Sequence, residues 1–118
     1  MRDFTKLEMW HIGMEIADEV LDLWENIPPT QAGFKLRDQA TDAACSIPSN
    51  IAEGSSRRSE KEKFRFFEFA LGSAFELQTR LLIVKRRKWV ADSTMDPLLE
   101  KIVLVQKKIG AFMGVLGA

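Results

Sequence analysis

Apolar residues recur at alternating spacings of three and four positions along four stretches of the chain, which is the periodicity of amphipathic helices. The first stretch runs from about Lys6 to Asn26 and ends at Pro28 and Pro29, because proline cannot continue a helix. Two apolar rows lie side by side along it: Leu7, Trp10, Met14, Ala17, Leu21 and Trp24 in one, and Met9, Ile12, Ile16, Val20 and Leu23 in the other. This helix is therefore predicted to bury a wide face against two neighbours.

The second stretch spans roughly residues 32–53 and contains a proline. Its predicted inward positions are Leu36, Ala40, Ala43, Ile47 and Ile51. Because Pro48 has no amide hydrogen and clashes with the preceding turn, the helix is expected to kink there, or to restart with Ser46 or Ile47 as a new cap. Gly54 is expected to close the segment in a left-handed conformation.

The third stretch has the clearest beginning, since Ser59 and Glu62 match a capping box, and it continues to about Lys88. Two apolar stripes follow it: Phe64, Phe67, Leu71, Ala74 and Leu81 in one, and Phe66, Ala70, Leu77 and Val84 in the other. Gly72 lies in the middle of this helix, where glycine costs about 1 kcal/mol relative to alanine. We therefore predict that another helix crosses closely at Gly72.

The fourth stretch begins near Asp92 and Ser93, with Asp96 and Pro97 expected in its first turn. Its apolar residues repeat at four, three, four, three and four: Leu98, Ile102, Val105, Ile109, Phe112 and Leu116. Four helices with short connections predict an all-α fold, an antiparallel up-down-up-down four-helix bundle, formed as one domain over residues 1–118.

Composition agrees with a helical domain and restricts its setting. The chain has 118 residues, of which 46% are apolar, enough to bury a core without disulfides. Cys45 is the only cysteine, so neither an internal disulfide nor a zinc cluster is expected, and a reducing, cytoplasmic location is favoured. Charged residues interrupt residues 1–20, and no 18 apolar residues follow one another, so neither a signal peptide nor a membrane contact is predicted.

Catalytic chemistry finds little support in the sequence. Glu8 and His11 have the Glu-x-x-His spacing of di-iron bundles, yet such sites need a second pair and the chain has one histidine. No Gly-x-Ser-x-Gly nucleophile elbow is present. The segment GSSRRSEK, residues 54–61, has the composition of an anion site at a helix start but lacks the Gly-x-x-x-x-Gly-Lys pattern. We therefore predict a protein that is not an enzyme and uses no metal or cofactor.

The charges are unevenly distributed, although the net charge is zero. Residues 1–30 carry seven acids against two bases, a net charge of −5, so the first helix has an acidic solvent face. Residues 57–88 carry ten bases against four acids, a net charge of +6. Such asymmetry can guide a polyanion to one region, or pair acidic and basic faces of two subunits.

The ten bases of residues 57–88 are the candidate nucleic-acid-binding residues. They are Arg57, Arg58, Lys61, Lys63, Arg65, Arg80, Lys85, Arg86, Arg87 and Lys88. Residues 85–88 fall at a helix C-terminus, where the helix dipole favours cations without any ligand. Arg57 and Arg58 precede a helix N-terminus, where positive charge is unfavourable, so their presence calls for another cause.

Three segments of the sequence resemble a known protein family. They are SIPSNIAEG at residues 46–54 with Arg58, Phe64 and Phe67 after it, ALGSAFEL at 70–77, and LEMWHIGMEIADEV at 7–20. Together they resemble the four-helix-bundle proteins encoded within intervening sequences of bacterial 23S rRNA genes. The resemblance implies an antiparallel four-helix bundle that assembles as a ring, commonly a pentamer. That family is similar to the accessory variability proteins of diversity-generating retroelements, basic pentamers that bind nucleic acid; this chain departs from them in its pI of about 6.6.

Aromatic and apolar residues are expected to exceed what one small bundle can bury. The aromatic residues that bear on this point are Trp10, Trp24, Trp89, Phe64, Phe66, Phe67 and Phe69. Large exposed apolar patches mark interfaces, and a ring buries them by repeating one contact. The leading interpretation is a non-enzymatic homo-oligomer whose basic rim contacts the phosphates of RNA or single-stranded nucleic acid, with the acidic first helix of one subunit against the basic third helix of the next.

Two other interpretations stay open at the level of sequence. An oligomeric scaffold or adaptor would bind another protein without contacting nucleic acid. Its basic residues would be consumed in intersubunit pairs with Glu15, Asp18, Asp22 and Glu25. An enzyme would need a pocket in which four polar side chains converge: Gln39, Asn50, Glu53 and Ser73. We expect these four to satisfy backbone groups near Pro48 instead.

Overall fold

The computed structural model describes residues 3–117, and this part of the chain contains helices and no strands. The four long helices are α1 (Glu8–Asp22), α2 (Gln31–Ser56), α3 (Glu60–Arg86) and α4 (Asp92–Gly117). Two single 3₁₀ turns, Phe4–Lys6 and Trp24–Asn26, lie at the ends of α1. Each helix packs against the next one in the sequence, most extensively α2 against α3, and α1 also packs against α4. The predicted all-α class with four helices is confirmed.

Local capping explains where α2 and α3 begin. The Thr30 hydroxyl accepts a hydrogen bond from the Gly33 amide at 3.1 Å, and the Ser59 hydroxyl accepts one from the Glu62 amide at 3.1 Å. The predicted cap at Ser59 is thus present. Only half of the capping box forms, since the Glu62 side chain makes no hydrogen bond within residues 3–117. Helix α3 is followed by Lys88 at φ 59°, a left-handed residue that turns the chain toward α4.

Helix α2 passes through Pro48 without a break, so the predicted restart at Ser46 or Ile47 is wrong. Tertiary packing compensates for the hydrogen bond that proline cannot donate, because Pro48 is buried against α1. An ideal Cβ at Gly13 would lie 3.3 Å from Ile47 Cγ2 and 3.4 Å from Pro48 Cβ. The absence of a side chain at Gly13 therefore lets α1 approach the proline segment closely.

The predicted left-handed closure at Gly54 is also wrong. No glycine in residues 3–117 has a positive φ, and α2 continues two residues beyond Gly54 to Ser56. A Cβ at Gly54 would lie 3.0 Å from Phe66 Cβ and 3.2 Å from Phe67 Cε2. Gly54 is needed because α3 crosses α2 at this point, whereas chain reversal follows only at Arg57, whose backbone is extended.

Helix α4 begins at Asp92, near the predicted residue, but its proline lies one turn further into the helix than predicted. The Ala91 carbonyl accepts hydrogen bonds from the Thr94 and Met95 amides, both at 3.0 Å, which starts the helix at Asp92. Pro97 consequently lies in the second turn, and its placement in the first turn was wrong.

The core is formed by one apolar row of each helix. In α1 the buried row is Met9, Ile12, Ile16, Val20 and Leu23. The neighbouring row is largely at the surface, since Met14 is 40% exposed and Leu21 is 44% exposed. Gly72 has no atom within 4 Å of an ideal Cβ, so the close crossing predicted there does not occur within residues 3–117. No helix in the described part of the chain is long and apolar enough to cross a membrane.

Candidate nucleic-acid interface

The first cluster of candidate residues surrounds the start of α3. Arg57, directly after α2, donates a hydrogen bond to Glu53 at 2.8 Å, and its guanidinium lies 4.6 Å from the centre of the Phe66 ring. The Lys63 ammonium donates to the Ser55 carbonyl at 3.1 Å and so links α3 to the end of α2. These two cations are therefore partly occupied by contacts that support the α2–α3 connection.

Three cations of the same cluster are not neutralised within the described chain. Arg58 and Lys61 are exposed and have no ion pair or hydrogen bond from their side chains within residues 3–117. Arg65 has no carboxylate partner there either, and its guanidinium lies 5.6 Å from the centre of the Phe69 ring. The start of α3 thus presents positive charge that the fold itself does not use.

The second cluster lies at the end of α3. Arg80 is 3.9 Å from Glu76, a distance at the limit of an ion pair, and Lys85 donates a hydrogen bond to Asp96 on α4. This hydrogen bond raises the pKa of Lys85 above its usual value. The remaining cations are exposed and have no partner within residues 3–117: Arg86, Arg87 and Lys88.

The two clusters are separated by most of the molecule. Helix α3 has 27 residues, which at 1.5 Å per residue corresponds to about 40 Å, and the longest dimension of the described chain is 44 Å. One subunit therefore does not present the ten predicted residues as one surface. It presents two separate basic ends.

The acidic face of α1 is paired with α4 inside the chain. Lys101 lies 2.7 Å from Glu19 and 3.2 Å from Glu15, and Lys108 lies 3.1 Å from Glu8. Hydrogen bonding to Glu19 is the main cause that raises the pKa of Lys101. Among the acids of residues 8–25, those without an ion pair in the described chain are Asp18, Asp22 and Glu25.

The SIPSN segment forms a polar link between α2 and α3. The Ser46 hydroxyl is 2.8 Å from that of Ser73, and the Asn50 amide donates to the Ser46 hydroxyl at 2.8 Å and to the Ser46 carbonyl at 2.9 Å. Glu53 points instead to Arg57, so the four polar side chains considered for an enzyme pocket do not converge. The contact to the Ser46 carbonyl agrees in part with the predicted backbone role of Asn50.

An arginine and phenylalanine cluster at the start of α3 was not predicted from the sequence. The Phe66 and Phe69 rings meet edge to face with centroids 5.9 Å apart, and Arg57 and Arg65 each lie over one of them. With Glu62 they line a surface cavity of about 330 Å³. The i, i+4 spacing of Arg65 and Phe69 is a sequence signal that could have predicted their contact. The contact of Arg57 with Phe66 depends instead on the packing of α2 against α3.

The single histidine, His11, contacts residues that are close to it in the sequence. His11 Nε2 lies 2.6 Å from the Thr5 carbonyl, and the ring packs edge to face on Trp10. No group of three or more histidine, cysteine, aspartate or glutamate side chains in residues 3–117 is placed to hold a metal ion.

These observations define an all-α protein of four long helices in which one helix carries unpaired cations at both ends. The family model of the 23S rRNA-intervening sequence protein matches residues 5–111, so the chain belongs to this family. Among solved structures, the crystal structure of a protein with unknown function from the S23 ribosomal protein family, from Bacteroides thetaiotaomicron, has a similar fold. Its TM-score is 0.82 at 18% identity, and the match covers 89% of this chain and 97% of that chain. A search of curated proteins finds no match.

Proposed function

We propose that this protein is a non-enzymatic, cytoplasmic homo-oligomer that binds RNA or single-stranded nucleic acid through the basic ends of α3. The observation that carries the proposal is the set of cations without a carboxylate partner in the described chain: Arg58, Lys61, Arg65, Arg86, Arg87 and Lys88. Unpaired cations release counterions from a phosphate backbone, which gives affinity without base specificity. The acids of α1 are neutralised by Lys101 and Lys108 on α4 and not by the basic residues of α3.

The proposed subunit is one domain in which successive helices run antiparallel, up-down-up-down, and several copies close into a ring, which the family resemblance implies to be a pentamer. Support comes from apolar side chains left at the surface on the α3–α4 side: Phe75, Leu82 and Leu104. Exposed apolar groups of this size favour association. Asp18, Asp22 and Glu25 near α1 supply acids for a basic neighbour, whereas Glu15 is already paired with Lys101.

A ring would repeat each basic end of α3 once per subunit, although the two ends of one helix stay about 40 Å apart. Several copies of a modest cationic patch give avidity that one patch lacks. Affinity for a polyanion should therefore depend on assembly as well as on charge.

Two measurements test this proposal on the full chain. Light scattering on a sizing column should give a mass several times the 13.4 kDa of one chain. Filter binding of a single-stranded RNA across salt concentrations should show affinity falling with a log–log slope of about 0.7 to 0.9 per phosphate contacted.

A double charge removal tests this assignment in the same filter-binding titration, with a lysine outside both clusters as the control. Replacing both Arg58 and Lys61 by glutamine should weaken binding and flatten the salt dependence. Replacing Lys107, an exposed α4 lysine without an ion pair in the described residues, should change neither. Absence of retention even at low salt refutes the nucleic-acid part of the proposal.

The second candidate function is an oligomeric scaffold that binds another protein. It is favoured by a groove of about 610 Å³ along α4, lined by Leu99, Val103 and Leu104 and flanked by charges of both signs. Mixed charges beside apolar residues suit an amphipathic helix better than a polyanion. An oligomeric mass together with no RNA retention at low salt would leave this function as the supported one.

A further inference from the structure

The exposed arginine and phenylalanine cluster at the start of α3 differs from the other exposed apolar groups of the molecule. Phe69 is 47% exposed and its ring stands perpendicular to that of Phe66. Arg57 and Arg65 lie 4.6 and 5.6 Å from the centres of these two rings. An aromatic face and cationic groups therefore share one surface cavity of about 330 Å³.

We infer that this cluster, hereafter the Phe69 platform (Arg57, Glu62, Arg65, Phe66 and Phe69), stacks an unpaired base of single-stranded nucleic acid while neighbouring cations hold the adjacent phosphates. This inference rests on the proposed nucleic-acid binding and deepens it, because it names the binding surface and restricts the ligand to strands with exposed bases. Aromatic rings interleaved with arginine are the means by which proteins bind single strands without reading their sequence.

Charge complementarity favours a nucleic acid over an apolar protein surface as the occupant of the platform. Arg58 and Lys61 lie close to the platform in sequence and have no ion pair within the described chain. An apolar partner would have to desolvate them without neutralising them, which is costly. The apolar groups better suited to a second copy, Phe75 and Leu82, are elsewhere on α3 and do not line the platform cavity.

The platform is held in place by contacts that need no ligand. Glu53 receives a hydrogen bond from Arg57 at 2.8 Å, which fixes that guanidinium over Phe66. The Phe66 side chain is in turn packed over Gly54. A base stacking on Phe69 would therefore meet a surface already formed, so little ordering cost opposes binding.

The test uses the full chain with three fluorescein-labelled probes of equal length: oligouridylate, oligodeoxythymidylate and a duplex RNA. Fluorescence anisotropy gives the affinity for each probe at several salt concentrations. The variants are Phe69→Leu, which keeps an apolar group but loses the aromatic face, and Phe69→Trp, which restores it. Phe34→Leu is the matched control, since Phe34 is 44% exposed, lies 5.0 Å from the Arg37 guanidinium on α2 and is not part of the platform.

We expect Phe69→Leu to weaken binding of both single strands by about 5- to 100-fold, the range for loss of one stacked base. Duplex binding and the salt slope should stay unchanged, because neither depends on stacking. Phe69→Trp should restore single-strand affinity, and Phe34→Leu should leave it unaltered. Comparing the affinities for oligouridylate and oligodeoxythymidylate shows whether the protein prefers single-stranded RNA or single-stranded DNA.

The outcomes separate the inference from the proposal beneath it. If the wild type binds single strands and duplex equally and Phe69→Leu changes neither, phosphate binding stands and base stacking is overturned. If Phe69→Leu and Phe34→Leu weaken binding equally, the platform has no special role and the inference is likewise overturned. If the wild type binds no probe at low salt, both the inference and the proposed function fail.

Discussion

Three glycines in helices provide a graded test of how tightly the helices pack. The same change to alanine can be made at Gly33, Gly54 and Gly72. An added Cβ would lie 2.1 Å from the Pro28 carbonyl oxygen at the first position and 3.0 Å from Phe66 Cβ at the second. At the third position it would meet nothing within 4 Å. One substitution therefore samples a backbone clash, a tight side-chain contact and open space.

The expected magnitudes follow from two opposing effects. Alanine gains up to about 1 kcal/mol over glycine inside a helix, and forcing extra atoms into a packed site costs about 1 to 3 kcal/mol. Gly72→Ala should therefore raise the free energy of unfolding by about 0.5 to 1 kcal/mol. Gly54→Ala should lower it by about 0 to 2 kcal/mol. Gly33→Ala should lower it by about 2 kcal/mol or more, because a backbone carbonyl must move by roughly 1 Å to reach ordinary contact.

Urea unfolding followed by tryptophan fluorescence and far-ultraviolet circular dichroism measures these differences. All variants are compared at one protein concentration, since association makes apparent stability depend on concentration. Gly110→Ala, at a position on α4 that likewise has nothing within 4 Å of an ideal Cβ, checks the gain expected at Gly72 on α3. If Gly54→Ala stabilises the protein as much as Gly72→Ala, the close approach of α2 and α3 is refuted.

Three further predictions concern single contacts. Lys101→Met should lower the free energy of unfolding by about 0.5 to 1 kcal/mol at pH 7, while Lys107→Met should have little effect. Since the pKa of Lys101 is raised on folding, this loss should be constant from neutral pH to about pH 10.5 and shrink as pH rises through the folded-state pKa, which thermal melts across alkaline pH would show. Ser59→Ala should cost about 1 kcal/mol through loss of the α3 cap, measured by urea unfolding, and unchanged stability would contradict the capping role. Ser73→Ala should cost about 1 kcal/mol by leaving Ser46 without its partner on α3, and a Ser46→Ala, Ser73→Ala double variant that is additive would refute their coupling.

The sequence predicted those parts of the fold that local physics determines. The number of helices followed from apolar periodicity, and the start of α3 followed from Ser59, because a cap acts on amides only a few residues away. Pro48 and Gly54 were misread because their roles depend on other helices. Proline is tolerated where Gly13 allows α1 to pack over it, and Gly54 serves a helix crossing rather than a turn. Tertiary packing also decided which of two apolar rows in α1 is buried.

For the candidate interface, the positions of the cations could be predicted from the sequence, but which of them lack a carboxylate partner could not. Arg57 and Arg58 are adjacent in sequence, yet the first is held by Glu53 and the second has no partner within residues 3–117. The distance between the two clusters follows from α3 being one uninterrupted helix of 27 residues. The Phe69 platform could not be predicted from the sequence of α3 alone, because the packing of α2 against α3 brings Arg57 to Phe66.

The most direct test of the central claim, that the start of α3 binds single-stranded nucleic acid, is photo-crosslinking with peptide mapping. A single-stranded RNA containing 4-thiouridine is irradiated with the full chain, and the modified peptides are identified by mass spectrometry. The account predicts adducts concentrated in residues 57–69, which are lost in Phe69→Leu. Adducts confined to α1, or an RNA that is retained without any adduct in residues 57–69, would contradict it.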